Sequence, residues 1–329
     1  MKICIYGAGA IGGLIGTRLA ADPGNEVSAV ARGATLAALR SHGWRLQIDG
    51  ALEQAPVNAT DDPSSLGVQD LVVVAVKGPA MAAVASNIAP LLGPDTVVMP
   101  AMNGVPWWFV AGLPDIGASP LEGVDPGGQI AASVAFDKVL GCVVHASTST
   151  PEPGLVAHRI GRGLIIGEPL GGTSARAEAI ERLLTNAGFD VTLSTNVRQD
   201  IWYKLWGNMT MNPVSAITGA TIDKILADPL VTAFCSAAMS EASLIGARLG
   251  CAISESPEDR HVVTRKLGSF KTSMLQDVEA GRPIELDALV SVVSELARRV
   301  DVACPNIDAL LGLTRLYGRV HGLYPQAAS

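Results

Sequence analysis

The stretch Lys2-Ile3-Cys4-Ile5-Tyr6-Gly7-Ala8-Gly9-Ala10-Ile11-Gly12 decides the fold. A short apolar run ends on Gly7, two further glycines follow at 9 and 12, and an apolar helical stretch continues through Leu19. Each glycine has its own physical task. Gly7 permits a tight turn, Gly9 lets the backbone approach a pyrophosphate, and Gly12 lets the helix pack on its strand. The first amides of that helix offer free N–H groups and the positive end of a dipole to phosphate. Gly7, Ala8, Gly9, Ala10, Ile11 and Gly12 are therefore the expected dinucleotide-binding residues.

Outward from this turn, short β-branched runs alternate with helical stretches as far as residue 193, the pattern of a parallel sheet covered on both faces. Strands are expected at 3–6, 27–31, 71–75, 97–99, 139–145, 164–166 and 191–193. Beyond about 195 the strands stop, and 199–211, 229–249, 260–279, 285–299 and 307–319 all read as helices. The expected class is α/β: an N-terminal Rossmann-type doubly wound sheet over 1–195, followed by an all-helical C-terminal domain over 196–329 that carries the substrate and the catalytic groups.

The end of the second strand speaks to the choice of cofactor. Enzymes that use NAD place Asp or Glu there for the ribose 2′-hydroxyl, whereas this chain runs Val27-Ser28-Ala29-Val30-Ala31 into Arg32-Gly33. An arginine pairs bidentately with a 2′-phosphate, so the cofactor read from these residues is NADP. Lys77-Gly78-Pro79 and Asn103-Gly104-Val105 follow the third and fourth expected strands, at the sheet edge where ligands bind. Lys77 and Asn103 are accordingly expected to touch the cofactor.

Composition narrows the rest. The chain has 329 residues, 48% hydrophobic and 17% charged, with 24 basic against 31 acidic side chains and a net charge of −7. An acidic, charge-poor chain lacks the basic surplus that nucleic-acid binding requires. Cysteines at 4, 142, 235, 251 and 304 form neither a Cys-x-x-Cys pair nor a metal-ligand spacing, so no metal site is expected and a reducing cytosol fits. No secretory leader is visible before Gly7, and no uninterrupted apolar run approaches the roughly 18 residues of a membrane span. The expectation is a cytoplasmic protein with no membrane or nucleic-acid partner. The five histidines are scattered and offer no rival centre.

The chemistry is expected on the helix that includes Trp202-Tyr203-Lys204-Leu205-Trp206-Gly207-Asn208-Met209-Thr210-Met211-Asn212. Lys204, Asn208 and Asn212 recur every four residues, which places them on one face with successive rises of about 6 Å. Ile201, Trp202, Leu205, Trp206 and Met209 make most of the remaining circumference apolar, the sign of a buried helix. Desolvation would bring such a lysine into the range useful for proton transfer, making Lys204 the catalytic candidate. Glu285 and Asp287 open the apolar helix that follows. Either is a charge partner or a first-turn carboxylate favoured by the helix dipole. Ser273 reads equally as an N-cap.

These residues together resemble the ketopantoate reductase family (2-dehydropantoate 2-reductases). The resemblance rests on the glycine turn, Arg32, Lys77, Asn103-Gly104, the Trp-x-Lys-x-x-x-Asn-x-x-x-Asn-Pro pattern of 202–213, Ser-Met-Leu-Gln-Asp at 273–277, and Glu285-Leu286-Asp287. It implies NADPH as hydride donor, a 2-keto acid as substrate, Lys204 as proton donor to the forming alkoxide, and Glu285 as its partner. Asn208 and Asn212 would hold substrate oxygens, Ser273 the substrate carboxylate, and Asn103 the nicotinamide ribose or the substrate edge. Two positions depart from the family pattern. Phe270 stands where an asparagine is common, and Ser291 where a glycine is common. Phe270 motivates a second reading, a 2-hydroxy acid dehydrogenase acting on another branched or aromatic substrate. A third reading, a non-catalytic NADPH sensor, conflicts with the retention of Lys204, Asn208 and Asn212. The apolar C-terminal helices, 233–249 and 288–300, serve either as one domain core or in part as a homodimer interface.

Overall fold

In the computed structural model, which describes residues 1–326, the opening apolar run is strand β1 (Lys2–Tyr6), buried after its first residue. The next strands are β2 (Glu26–Val30), β3 (Trp44–Ile48), β4 (Ala51–Ala55) and β5 (Asn58–Thr60). They are followed by β6 (Leu71–Val74), β7 (Val97–Pro100), β8 (Gly141–Glu152), β9 (Leu155–Gly167) and β10 (Asp190–Ser194). β1 has parallel partners on both sides, pairing Ile3 with Val27 and with Leu71. A strand hydrogen-bonded on both edges and covered on both faces reads as the continuous apolar run seen in the sequence. This sheet has five parallel strands in the order β5-β2-β1-β6-β7.

The expectation of one parallel sheet through residue 193 is corrected in its second half. β3, β4, β8, β9 and β10 form a separate mixed sheet, in which β9 runs parallel to β10 and β3 while β4 and β8 are antiparallel additions. The reason is local. Asp49 and Gly50, both at positive φ, turn β3 back on β4, and Pro153-Gly154 turns β8 back on β9. Asp-Gly is among the strongest two-residue hairpin signals, and it adds two strands to those expected above.

Helix α1 (Ala10–Ala20) contacts both sheets. Its small residues permit this. A Cβ on Gly13 would collide with Val156 of β9, and one on Gly16 would lie 2.6 Å from the Trp44 ring of β3. Ile3, Ile5, Ile15, Leu19, Trp44, Leu46 and Ile166 belong to one buried cluster that this helix shares with the two sheets. Helix α2 (Gly33–His42), the short α3 (Met81–Ala85) and α4 (Gln129–Ser133), and α5 (Ala175–Asn186) complete the α/β part.

The remaining elements are helical: α6 (Val197–Thr218), α7 (Ile222–Ala227), α8 (Pro229–Arg248), α9 (Pro257–Arg265), α10 (Ser273–Glu279), α11 (Val292–Arg299) and α12 (Pro305–Val320). α6 passes Pro213 and continues to Thr218, so the expected stop near 211 is too early. The expected helix over 260–279 is two helices, α9 and α10, separated by a stretch containing Gly268 at φ +60. α7 lies outside the helices expected above.

α6 and α8 lie in close contact. The Trp202 and Trp206 indoles donate to the carbonyls of Ala242 and Met239 at 3.2 and 2.7 Å, and a Cβ on Gly246 would collide with the Trp202 indole nitrogen. By length and composition α8 is apolar enough to cross a membrane, with a mean hydropathy of 1.4. Its buried Glu241 nevertheless accepts from the backbone amides of Asn306 and Ile307, both at 3.0 Å, capping α12.

The chain forms two compact units, 1–112 with 127–200 and 113–126 with 201–329. The sequence pattern places one boundary, near 195. The excursion of 113–126, which carries Pro114, Pro120 and Pro126 with Gly117 and Gly123, is fixed by two side chains of α11. Glu295 accepts from the amides of Glu122 and Gly123 at 3.1 and 2.9 Å, and Arg299 donates to the carbonyls of Ile116, Ser119 and Pro120.

Candidate active site

In the N-terminal unit the glycine turn sits at the carboxyl end of β1. Gly7 has φ +99, its amide donates to the Val30 carbonyl at 3.0 Å, and a Cβ there would lie 2.6 Å from Val76. A Cβ on Gly12 would collide with the Gly7 carbonyl oxygen, so this glycine holds strand and helix together. Gly9 differs, because nothing lies within 4 Å of the position its Cβ would take. It is also the N-cap of α1 and provides no side-chain cap, which leaves the first helical amides for an incoming acceptor. Ala8 is buried, while Ala10 and Ile11 are half-buried.

Arg32 is exposed at the end of β2 and is the N-cap residue of α2, its carbonyl accepting from Leu36 at 3.3 Å. Lys77 is exposed three residues beyond β6, and Asn103 is half-buried three residues beyond β7, next to Gly104 at φ +84. An open approach over Gly9, uncapped helix amides, and a cation in place of a carboxylate at the end of β2 fit a phosphorylated dinucleotide.

In the helical unit, α6 carries Lys204 and Asn208, both half-buried, and the buried Asn212. The Asn212 amide donates to the Ser273 hydroxyl at 3.4 Å, joining α6 to the start of α10. The N-cap of α10 is Thr272, whose side chain accepts from Leu275 at 3.2 Å. Ser273 is therefore freed from the capping role that the sequence also allowed. Beside the Lys204 row, Tyr203 donates to Glu255 at 2.7 Å, with the Arg260 guanidinium 4.6 Å from its ring centroid.

Glu285 is half-buried one residue before Leu286 and a π-helical turn over Asp287–Ser291. Such turns widen the helix and are frequent at functional positions. Its neighbour Asp287 has a structural partner, accepting from Tyr324 at 2.6 Å. Burial, then the bond to Asp287 and that carboxylate's charge, push the Tyr324 phenol up to about 12. Ser291, half-buried, is the last residue of the π-helical turn. Phe270 packs against a cluster that includes Met211, Val214, Ile222 and Leu310. Of the two departures from the family pattern, Phe270 thus has a packing role. Among the described residues no cluster of metal-binding side chains occurs, and all five cysteines are buried and unbridged.

Two family models match the chain. Residues 3–107 match Ketopantoate reductase PanE/ApbA, and 196–318 match Ketopantoate reductase PanE/ApbA C terminal. A 2-dehydropantoate 2-reductase from Mesorhizobium japonicum is 43% identical, covering 98% of this chain and 100% of the relative. The chain belongs to the ketopantoate reductase family. Members of this family are oxidoreductases acting on CH–OH groups with a nicotinamide dinucleotide. A crystal structure from Ralstonia solanacearum, assigned to ketopantoate reductase, is 55% identical, with a TM-score of 0.94 over 98% of this chain and 99% of that one. The fold is shared more widely. The ternary structure of D-mandelate dehydrogenase with NADH and anilino(oxo)acetate is 20% identical, with a TM-score of 0.82 over 98% of this chain and 100% of that one.

Proposed function

We propose that this ketopantoate reductase family member reduces 2-dehydropantoate to pantoate in the cytoplasm, in pantothenate biosynthesis, with NADPH as the reductant. The observation that carries the reading is the Lys204, Asn208, Asn212 row with Ser273 bonded to Asn212. When bound, NADPH supplies the hydride that adds to the keto carbon. The carbonyl electron pair then moves to oxygen, and Lys204 Nζ donates the proton that this oxygen takes up. Glu285 is the carboxylate paired with that ammonium in the same role set. Asn208 and Asn212 orient substrate oxygens, Ser273 holds the carboxylate, and Asn103 lies at the nicotinamide-ribose edge. On the N-terminal unit, Gly7 to Gly12 receive the pyrophosphate, Lys77 meets the ribose or phosphates, and Arg32 meets the 2′-phosphate.

The test is a steady-state assay of the purified protein with 2-dehydropantoate beside a panel of branched and aromatic 2-keto acids. The highest kcat/KM is expected for 2-dehydropantoate with NADPH. Failure to reduce it, with turnover of an aromatic acid, would overturn the substrate in favour of the second reading. Against that second reading, the phenyl ring that motivated it packs against a buried apolar cluster of the helical unit.

A homodimer through the helical unit belongs to the same proposal. Leu313, Leu316 and Val320 are 58, 61 and 72% exposed, on one side of α12. Contiguous apolar surface of this kind marks an association face. Light scattering should give twice the chain mass, and Leu316→Glu should return a monomer.

A further inference from the structure

Tyr6 carries a hydroxyl that the fold leaves without a partner. The residue is 5% exposed, its Oη is enclosed, and no hydrogen bond reaches it. Buried hydroxyls are nearly always bonded, because an unmade bond forfeits the hydration the group had in the unfolded chain. Tyr6 is the last residue of β1 and immediately precedes Gly7 of the cofactor turn.

Strand alternation shows which groups share its face. Ile3 and Ile5 belong to the cluster packed with α1, so Cys4 and Tyr6 project from the opposite face. In register, Tyr6 pairs with Val30 of β2. Ala29 and Ala31 lie in the same cluster as Ile3 and Ile5, which puts Val30 on the face of Tyr6. Arg32 is extended at φ −135 and ψ 162, so it continues the alternation and returns to that face two residues beyond Val30. Burial pushes the Tyr6 phenol above its ordinary value. The Arg32 guanidinium is near enough to pull it partly back, and Cys4 adds to the rise. The phenol therefore stays protonated at neutral pH and is a hydrogen-bond donor. A donor and a fixed cation together match a phosphate ester, which is acceptor-only and doubly charged.

We propose that Tyr6 donates its hydroxyl proton in a hydrogen bond to the 2′-phosphate of NADPH beside Arg32, as a second residue that sets cofactor choice. This rests on the NADPH reading above and adds to it a residue that no dinucleotide motif contains.

The test is Tyr6→Phe, which removes one oxygen and keeps the ring. Binding of 2′,5′-ADP and of 5′-AMP to wild type and variant is measured by calorimetry, together with the melting temperature without ligand. A bond to a charged group predicts about a tenfold weakening of 2′,5′-ADP, with 5′-AMP unchanged. The unliganded variant should melt at the same temperature or higher, since an unsatisfied hydroxyl has been replaced by hydrogen. Equal weakening of both ligands, or no weakening of 2′,5′-ADP, would overturn the proposal. So would a lower melting temperature with the ligand ratio unchanged, which would make Tyr6 a packing residue only. A wild type that binds both ligands equally would overturn the NADPH reading itself, and the Tyr6 proposal with it.

Discussion

Two glycines of one motif have different work, and substitution separates them. Gly12→Ala drives a Cβ into the Gly7 carbonyl, so strand and helix must part, and calorimetry should show a loss of about 3 kcal/mol or failure to fold. Gly9 has φ −81 and ψ −156 and open space around its missing Cβ, so Gly9→Ala should melt like wild type while binding NADPH at least about tenfold more weakly. For Lys204→Ala, kcat should fall on the order of 10²- to 10⁴-fold, with the NADPH dissociation constant within about twofold of wild type. Retained turnover would remove Lys204 from the proton step. Arg32→Ala should weaken NADPH on the order of 10- to 100-fold and leave NADH nearly unchanged. Much of this was legible in the sequence because spacing encodes it: glycines at 7, 9 and 12 and polar residues at 204, 208 and 212. The Tyr6 hydroxyl was not legible. Its significance depends on a missing partner, which only the packed structure reveals.

At the scale of elements, the parallel core was readable because strands buried on both faces are uninterrupted β-branched runs, as in Leu71-Val72-Val73-Val74. The mixed sheet was harder. β4, with the sequence ALEQA, is exposed or half-buried over its first four residues, so its apolar signal is weak, and only the Asp49-Gly50 turn announced it. The extension of α6 past Pro213 was hidden because proline usually ends a helix, whereas here buried neighbours from Met211 to Ala216 hold the turn. Helix α9 supplies a pH dependence. His261 is 2% exposed, with Nε2 3.1 Å from the Ser236 hydroxyl of α8 and Nδ1 unbonded. Burial holds the imidazole below its ordinary 6.5, with Glu258 opposing that shift and Arg265 adding to it. The folded state thus binds this proton less readily than the unfolded chain does. Its stability contribution is complete above about 6.5 and is lost as pH falls through the lowered folded value. Urea midpoints should therefore drop from pH 7.5 to 5.5, and His261→Gln should flatten that slope.

For the whole molecule, the two units are not two consecutive halves of the sequence. Segment 113–126 leaves the α/β unit and is held by Glu295 and Arg299, which are themselves paired at 2.6 Å and largely shielded, with side chains 14 and 17% exposed. Removing one partner of such a pair leaves the other charged and poorly compensated. Arg299→Ala should cost about 2–3 kcal/mol and open the segment to limited proteolysis near Ile116 to Pro120, carbonyls that Arg299 now holds. The clamp also sets a timetable for synthesis. The amide of Glu122 binds a carboxylate 173 residues further along the chain. At the usual 5–20 residues per second, roughly 10–30 s pass between the emergence of this loop from the ribosome and that of its anchor. During that interval the nascent α/β unit carries an undocked strand of chain between residues 112 and 127. The second unit is therefore completed only when α11 has been made, because a loop synthesised early in the chain belongs to it.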